Sequence, residues 1–234
     1  MTEQRTGLAA LDIDQTLAGG IVVAHMRFYN TQLGLGMSES QILSCGKKYR
    51  KTFDVPQIIQ YRAVHEDAFQ QVRSQIRASE QVNSDFELIP GVLPAMGMLV
   101  QACMRLEYFT VRPMETKPVT MSWLRKMGLP NSQTVHISRD HRNKLQQIHD
   151  ATSINESAIL IDDSIEPLVQ ELAKIRGSEG RSLRQRLGLV GFGEIDHQNQ
   201  TEIKEFAEAY AVRVSFLPRW DLLLLREILR NNKK

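Results

Sequence analysis

The sequence predicts an α/β protein built on a doubly wound parallel sheet, with an all-helical domain inserted near the N-terminus. Three short apolar runs, at residues 8–11, 106–111 and 158–161, are the main evidence for the sheet. Continuous apolar runs of this length are typical of strands buried on both faces. Segments with the apolar spacing of helices lie between these runs. An alternation of strands and helices favours a parallel sheet with right-handed crossovers. The carboxyl ends of all the strands would then lie at one edge.

The composition changes between residues 21 and 87, where β-branched runs are missing and Gln, Arg and Glu are frequent. A helix is expected over Ile21–Leu33, ended by Gly34, and a short one from Ser38. One long amphipathic helix is predicted by apolar positions at three- and four-residue steps, with His65 on the packed side. These positions are Ile58, Tyr61, His65, Ala68, Val72 and Ile76. We therefore assign residues 19–88 to a helical cap domain and residues 1–18 and 89–234 to a Rossmann-like core.

The rest of the core follows the same alternation. Helices are expected over residues 94–105, 118–127, 143–149, 165–175, 202–209 and 221–230, with Asn143 as an N-cap. Further strands are expected over residues 134–137, 187–192 and 212–216. Residues 177–186 are predicted to form a polar, basic loop.

Composition excludes several classes of protein. The 234 residues are 42% hydrophobic and 24% charged, with a net charge of +2, which is ordinary for a globular protein and gives no sign of a nucleic-acid-binding face. The two cysteines, Cys45 and Cys103, do not suggest a disulfide framework. We expect a cytoplasmic protein without a signal peptide, and without an apolar run of the roughly 20 residues that span a bilayer.

Acidic pairs follow two of the buried strands. Asp12 and Asp14 come after the first strand, and Asp162 and Asp163 end a later one. Two carboxylates ~4 Å apart repel by ~4 kcal/mol at an effective dielectric constant of ~20, so such a pair holds a proton or a cation. An acidic turn without function is the alternative for the first pair. Four carboxylates at one sheet edge suggest Mg²⁺, which prefers oxygen ligands.

Two further residues point to phosphate chemistry at the same edge. Thr110 closes a strand, and Lys144 begins a helix 18 positions before Asp162. An ammonium and a hydroxyl suit phosphate oxygens. A carboxylate can attack phosphorus to form an aspartyl phosphate, and a second acid can protonate the leaving oxygen and later activate water.

This arrangement resembles the haloacid dehalogenase-like hydrolase superfamily over nearly the whole chain. Its four motifs correspond in order to Asp12-Ile13-Asp14-Gln15-Thr16, Phe109-Thr110, Lys144 and Ile161-Asp162-Asp163. The resemblance implies that Asp12 is the nucleophile and Asp14 the general acid/base. It also implies that Thr110 and Lys144 hold the phosphoryl oxygens. Mg²⁺ would be bound by Asp12, by Asp14 through its backbone carbonyl, and by Asp162 and Asp163 directly or through water.

The resemblance also implies the type of reaction. An acid at position 14 is typical of the phosphatases and phosphomutases of the superfamily, whereas its dehalogenases and ion-pumping ATPases lack it. A helical cap between the first and second motifs suggests a small phosphorylated metabolite as substrate. We therefore predict a Mg²⁺-dependent phosphatase without nucleic-acid or membrane partners. The alternatives are a phosphomutase or phosphotransferase, a silent scaffold on this fold, and a response-regulator receiver domain, which would lack the insert. The sequence leaves the oligomeric state open.

Other candidates are given structural interpretations. Lys117, Arg139 and Arg142 are alternatives to Lys144. Arg112-Pro113 is attributed to loop geometry, although the superfamily often has this pair. The basic cluster Lys47-Lys48-Tyr49-Arg50-Lys51 is predicted to be a solvated loop that could also reach an anionic substrate. His136, His141 and His149 lack metal-ligand spacing, and Glu166 could support the fourth motif. The role of residues 177–200 stays open, including a possible interaction surface.

Overall fold

The computed structural model describes residues 7–49, 51–84, 86–102, 104–153 and 156–232. Its main sheet has six parallel strands in the order β5-β4-β1-β6-β7-β8. These strands are β1 Gly7–Leu11, β4 Met104–Thr110, β5 Val135–Ile137, β6 Ser157–Asp162, β7 Leu187–Phe192 and β8 Arg213–Leu217. Two short strands, β2 Ala18–Gly19 and β3 Glu87–Leu88, form a separate antiparallel pair. The predicted parallel sheet is confirmed.

Helices cover both faces of the main sheet. In β1, Ala9 and Leu11 pack with one apolar cluster, while Leu8 and Ala10 pack with another on the opposite face. The first cluster includes residues of α5 Val92–Gln101, α6 Lys117–Lys126 and α11 Leu222–Asn231. The second includes residues of α7 His141–Ala151, α8 Ile165–Lys174, α9 Gly177–Arg186 and α10 His197–Ala209. β1 is an inner strand of the sheet, and all five of its residues are buried between the two helical layers.

The segment between β2 and β3 is helical. It contains α1 Ile21–Leu33, α2 Glu39–Lys48, α3 Pro56–Ala78 and α4 Glu80–Ser84. The predicted ends of α1 are confirmed, and Ser38 begins α2 with a capping box to Gln41. The division of the chain into a core and a cap at residues 19–88 stays a prediction.

The prediction for His65 was wrong. The long helix forms, but His65 interrupts it with a non-helical backbone (φ −133°, ψ 47°) and is exposed. The kink changes which residues face inward, so that Phe69, Val72 and Ile76 are buried after it. The apolar spacing assumed a straight helix, and Phe69 was missing from the predicted stripe.

Several boundaries in the core also differ from the predictions. Helix α5 ends at Gln101, so Met104 and Arg105 belong to β4 rather than to the helix. Asp140, and not Asn143, caps α7, because its carboxylate accepts a hydrogen bond from the Asn143 backbone nitrogen at 2.7 Å. Helix α10 begins at His197, whereas its predicted start was residue 202. Apart from residues 177–186, the other core elements lie where the sequence places them, with ends that shift by one or two residues.

Residues 177–186 form a helix, α9, and not the predicted loop. Its one large apolar side chain, Leu183, is buried. Gly180 lies so close to α8 that an added Cβ would meet the Ile175 carbonyl oxygen at 2.0 Å. Arg184 donates hydrogen bonds to the carbonyl oxygens of Leu172 and Ile175 at the end of α8. Tertiary contacts therefore stabilise a helix whose sequence is too polar to show an apolar stripe.

Within the described part of the chain, none of the helices combines the length and the apolar character that crossing a bilayer requires. Cys103, Arg50 and residues 1–6 lie outside the described residues, so the predictions made for them are not tested.

Candidate active site

The predicted site residues meet in one cavity at the carboxyl edge of the sheet. Its volume is about 260 Å³. Asp12 follows β1, Thr110 ends β4, Asp162 ends β6, and Lys144 lies in the first turns of α7. The structure thus brings together the following predicted residues, with Val111, His141 and Ser164 beside them: Asp12, Asp14, Thr110, Lys144, Asp162 and Asp163.

Lys144 lies between two carboxylates in the interior of the protein. Its Nζ donates hydrogen bonds to Asp12 Oδ1 at 2.6 Å and to Asp162 Oδ2 at 2.7 Å, and the lysine is 1% exposed. Burial alone would lower the pKa of the ammonium, but the charges of Asp12 and Asp162 raise the pKa above its usual value. The ammonium is therefore fully charged at neutral pH and joins the ends of β1 and β6.

Asp12 lies in the most acidic part of the cavity. Burial raises the pKa of its carboxyl well above the usual range, the Lys144 charge lowers it, and the nearby acids raise it further. Oxygen atoms of Asp12, Asp162 and Asp163 all lie within 4.8 Å of one another. Ser164 orients one of these acids, since its backbone nitrogen donates to Asp162 Oδ1 at 2.7 Å. Three carboxylate oxygens at this spacing are suitable ligands for a small divalent cation, which binds hard oxygen donors.

Asp14 is held by a different cation, Arg112. The guanidinium Nε donates to both carboxylate oxygens at 3.0 and 3.1 Å, and Nη2 donates to Oδ1. Burial would raise the pKa of Asp14, but the charge and the hydrogen bonds of Arg112 lower it. The backbone helps to present Asp14, because Gln15 adopts φ 61° in the tight turn that returns to Ala18. Asp14 is thus ionised at neutral pH.

Arg112 is the main functional candidate that the sequence interpretation missed. It is 7% exposed, its Nη1 donates to Thr120 Oγ1 at 3.0 Å, and its guanidinium lies over the Phe86 ring at 5.3 Å. Loop geometry alone does not account for a buried arginine that binds a predicted catalytic acid. The adjacent Pro113 and the distance of two residues from Thr110 were the available signals.

Two side-chain atoms in the cavity are buried and have no hydrogen-bond partner among the described residues. They are Thr110 Oγ1 and His141 Nδ1. Such groups are costly to bury unless something binds them, so they mark positions where a ligand can be received. His141 was set aside in the sequence as a surface or core histidine, but it lines the cavity one turn before Lys144. The Thr16 side chain, by contrast, is fully buried and does not line this cavity.

The other candidates lie elsewhere in the fold. His136 binds Glu107 at 2.7 Å and His149 binds Arg186 at 3.0 Å, so neither joins a metal cluster with His141. Glu166 faces a groove formed with α10. The alternatives to Lys144 are also outside the cavity lining, which is true of Lys117, Arg139 and Arg142. In the basic cluster, Lys47, Lys48 and Lys51 are exposed as predicted, but Lys47 and Lys48 end helix α2, so the prediction of a loop was wrong for these two residues.

Many solved protein structures are similar in fold to this chain. No family model matches the sequence, and no curated protein is significantly similar to it. Among solved structures, one named as a candidate phosphatase from Clostridium difficile covers 97% of this chain and 100% of its own at 12% identity, with a TM-score of 0.63.

Two further structures show the range of proteins with this fold. A HAD family hydrolase from Deinococcus radiodurans, solved with bound phosphate and sodium, covers 98% of both chains at 14% identity (TM-score 0.53). A protein from Thermotoga maritima named as a candidate β-phosphoglucomutase covers 96% of this chain and 99% of its own at 15% identity (TM-score 0.52). The resemblance seen in the motifs is confirmed at the level of architecture, and the chain has the fold of the haloacid dehalogenase-like hydrolases.

Proposed function

We propose that this protein is a Mg²⁺-dependent phosphatase that hydrolyses a small phosphorylated metabolite through an aspartyl-phosphate intermediate. The observation that carries the proposal is the placement of Lys144 between Asp12 and Asp162, beside the unpartnered Thr110 hydroxyl. The arrangement supplies a carboxylate nucleophile, a cation and a hydroxyl around one space. Structural neighbours named as hydrolases or as a candidate phosphatase support the proposal.

The acidic residues fit the metal that the chemistry requires. Asp12, Asp162 and Asp163 offer three carboxylate oxygens within 4.8 Å of one another, and Mg²⁺ takes oxygen ligands. We assign these side chains and the backbone carbonyl of Asp14 as the groups that would hold it. When bound, the metal supplies positive charge that offsets the phosphoryl oxygens and allows an anionic nucleophile to approach them.

In the first step, a carboxylate oxygen of Asp12 attacks the phosphorus atom of the ester. Lys144 binds Oδ1, which leaves Oδ2 as the attacking oxygen. The bond between phosphorus and the leaving oxygen breaks, and the leaving oxygen receives a proton from Asp14. Because Arg112 keeps Asp14 ionised in the free protein, Asp14 first accepts this proton from the monoanion of the phosphate ester, whose second pKa is near ~6, and then passes it to the leaving oxygen.

In the second step, water attacks the phosphorus atom of the aspartyl phosphate. Asp14 accepts a proton from that water, and the bond between phosphorus and the Asp12 oxygen breaks, which releases phosphate and restores the carboxylate. Arg112 favours this step, since it holds Asp14 in the form that accepts a proton. Lys144 and the Thr110 hydroxyl bind the phosphoryl oxygens through both steps.

The helical segment at residues 19–88 acts as a cap in this proposal. A second cavity lies between it and the core, and Asp14 and Val111 line both cavities. The leaving group would occupy the second cavity while the phosphoryl group occupies the first. A cap that covers both would exclude bulk water during phosphoryl transfer. We also propose that the enzyme works in the cytoplasm.

A phosphomutase is the second candidate, because a neighbour named as a candidate β-phosphoglucomutase shares the fold. A mutase would use the same Asp12 and Asp14, but a substrate hydroxyl would replace water as the acceptor of the phosphoryl group. A product analysis with a hexose phosphate separates the two: a phosphatase releases inorganic phosphate, and a mutase moves the phosphoryl group without releasing it.

The test is hydrolysis of p-nitrophenyl phosphate with Mg²⁺ or with EDTA. We expect Mg²⁺-dependent release and a loss of at least ~10³-fold in kcat for Asp12→Asn, since the nucleophile is removed. Asp150→Asn is the matched control, because Asp150 is exposed on α7, does not line the cavity and accepts a hydrogen bond from Gln146 Nε2 at 3.0 Å. It should retain normal activity.

Activity that survives Asp12→Asn, or that is unchanged by EDTA, would contradict the mechanism. A folded protein that releases no phosphate from p-nitrophenyl phosphate or from a panel of phosphorylated metabolites would favour the scaffold alternative.

A further inference from the structure

The cavity between the helical segment and the core is apolar where the leaving group would lie. Its volume is about 220 Å³. Aromatic and aliphatic side chains form most of its lining: Ile21, Tyr29, Phe53, Ile76, Phe86 and Val111. For scale, an apolar cavity of about 150 Å³ is enough to bind benzene. The cavity can therefore receive one aromatic ring together with small substituents.

The aromatic side chains are held in place by their neighbours. Tyr29 stacks on Phe69 with ring centroids 5.1 Å apart, and Phe53 meets the same ring edge-on at 5.9 Å. Phe86 lies beneath the Arg112 guanidinium. Tyr29 and Phe86 are each 2% exposed, so they cannot rotate freely. These fixed faces and edges suit stacked and edge-to-face contacts with an aromatic ring.

The polar groups in the lining are engaged within the protein. Arg73 donates to Gln70 Oε1 at 3.3 Å, and its guanidinium lies over the Phe53 ring at 4.8 Å. Asn83 donates its amide to the Ser79 carbonyl oxygen at 2.7 Å, and the Thr116 hydroxyl donates to the Pro113 carbonyl oxygen at 2.6 Å. His25 Nδ1 bonds with the Thr52 hydroxyl at 3.3 Å, and Arg112 is committed to Asp14 and Thr120. A leaving group with several hydroxyls would find few partners here, and buried hydroxyls without partners oppose binding.

Charge also limits what the cavity can hold. Asp14 is the only acidic side chain among the described residues that line it, and Arg112 neutralises that acid. Burial lowers the pKa of His25 to about 4, against the influence of Asp14 and with that of Arg112, so the imidazole is neutral near pH 7. The remaining charged side chain among the described lining residues is the cation Arg73, which lies over the Phe53 ring, so the walls offer no anion that would recognise a cationic amine.

We infer that the substrate is a phosphate monoester whose leaving alcohol carries an aromatic, hydroxyl-poor group of about one ring, rather than a sugar phosphate. The inference rests on the proposed phosphatase function, because it assigns the occupant of the space next to Asp14. The ring occupies the apolar cavity, the phosphoryl group occupies the acidic cavity, and the scissile oxygen lies at Asp14, which borders both.

The test compares benzyl phosphate with glucose 6-phosphate, both of which release a primary alcohol and so differ little in leaving-group reactivity. Phosphate release is measured for the full chain with Mg²⁺. We expect kcat/KM for benzyl phosphate to exceed that for glucose 6-phosphate by at least tenfold. Equal values, or a preference for glucose 6-phosphate, would overturn the inference while leaving the phosphatase proposal intact.

Variants test whether the cavity causes the preference. Phe53→Ser removes a ring from the wall and should reduce the ratio of the two kcat/KM values by about tenfold, and the milder Phe53→Leu by about threefold. Leu43→Ser is the matched control, since Leu43 is 44% exposed in the same helical segment and does not line the cavity. An unchanged ratio in both folded Phe53 variants would overturn the inference.

If no ester is hydrolysed, the phosphatase proposal fails. Binding measurements then test whether the cavity prefers an aromatic group to a sugar. Calorimetric titration of the full chain with the same two esters should show at least tenfold tighter binding of benzyl phosphate. Equal or tighter binding of glucose 6-phosphate would overturn the inference.

Discussion

Lys144→Met is the substitution with the largest effect that the structure predicts. It removes one ammonium that binds two carboxylates, at 2.6 and 2.7 Å, where the lysine is 1% exposed. Asp12 and Asp162 are 6% and 1% exposed, so removal of the ammonium leaves two buried carboxyl groups without the cation that binds them. Breaking a buried ion pair by removing one partner costs about 3–5 kcal/mol. For a chain of this size that corresponds to a decrease in Tm of roughly 6–20 °C.

The loss should depend on pH and on Mg²⁺ in stated directions. The native environment raises the pKa of Lys144, so its contribution is fully present below the unfolded-state pKa and is lost only as pH rises through the folded-state value. The variant should therefore show its full defect at pH 7. Mg²⁺ should reduce the difference, because a cation held by Asp12, Asp162 and Asp163 replaces the missing charge. At 100 times its Kd, the ion would add about 2.7 kcal/mol.

Urea and thermal unfolding at pH 7, with Mg²⁺ and with EDTA, measure both effects. Lys47→Met is the matched control, because Lys47 is exposed on α2, and it should change the free energy of unfolding by less than ~0.5 kcal/mol. A loss below ~1 kcal/mol for Lys144→Met would refute the buried-pair interpretation. If Mg²⁺ stabilises neither the wild type nor Lys144→Met, the assigned metal ligands are refuted.

Two further predictions concern the groups around Asp14. Arg112→Gln removes the charge and the hydrogen bonds that lower the pKa of Asp14, so this pKa should rise. The acid limb of the kcat profile for p-nitrophenyl phosphate should then move to higher pH, while the control Arg226→Gln, exposed on α11, keeps the wild-type profile. Because burial lowers the pKa of His25 from 6.5 to about 4, the unfolded chain binds more protons than the native one between these pH values. The free energy of unfolding should therefore decrease as the pH is lowered from 6.5 to 4, by at most about 3.4 kcal/mol. Urea unfolding of His25→Leu should show a smaller loss between these pH values, and an equal loss would contradict this prediction.

The sheet and its acidic edge could be predicted because both depend on local sequence. Continuous apolar runs mark buried strands, and the topology of a parallel sheet brings their carboxyl ends together. Asp12, Thr110 and Asp162 therefore meet as expected, although the sequence separates Asp12 from Asp162 by 150 positions. Lys144 reaches them because its helix begins at the same edge, which the spacing to Asp162 already indicated.

The errors have a common physical cause, which is that tertiary contacts outweigh local pattern. Residues 177–186 look like a loop until Arg184 and Gly180 are placed against the end of α8. The kink at His65 rotates the later part of α3, so a stripe extrapolated through it points the wrong way. Neither the contact nor the kink leaves a periodic signal in the sequence.

The catalytic residues of the site could be predicted from local sequence, whereas the residues that would recognise the leaving group could not. The acidic cavity is built at the ends of β4, β1 and β6, which are neighbours in the sheet, so a few ordered motifs suffice to identify it. The apolar cavity is built from side chains in α1, α3 and the loops around them, and no motif describes them. Asp14 and Arg112 connect the two cavities, since Asp14 lines both and Arg112 holds it from the apolar side. Substitutions in the helical segment should therefore change the choice of leaving group while preserving phosphoryl transfer, as long as the pairing of Asp14 with Arg112 is intact.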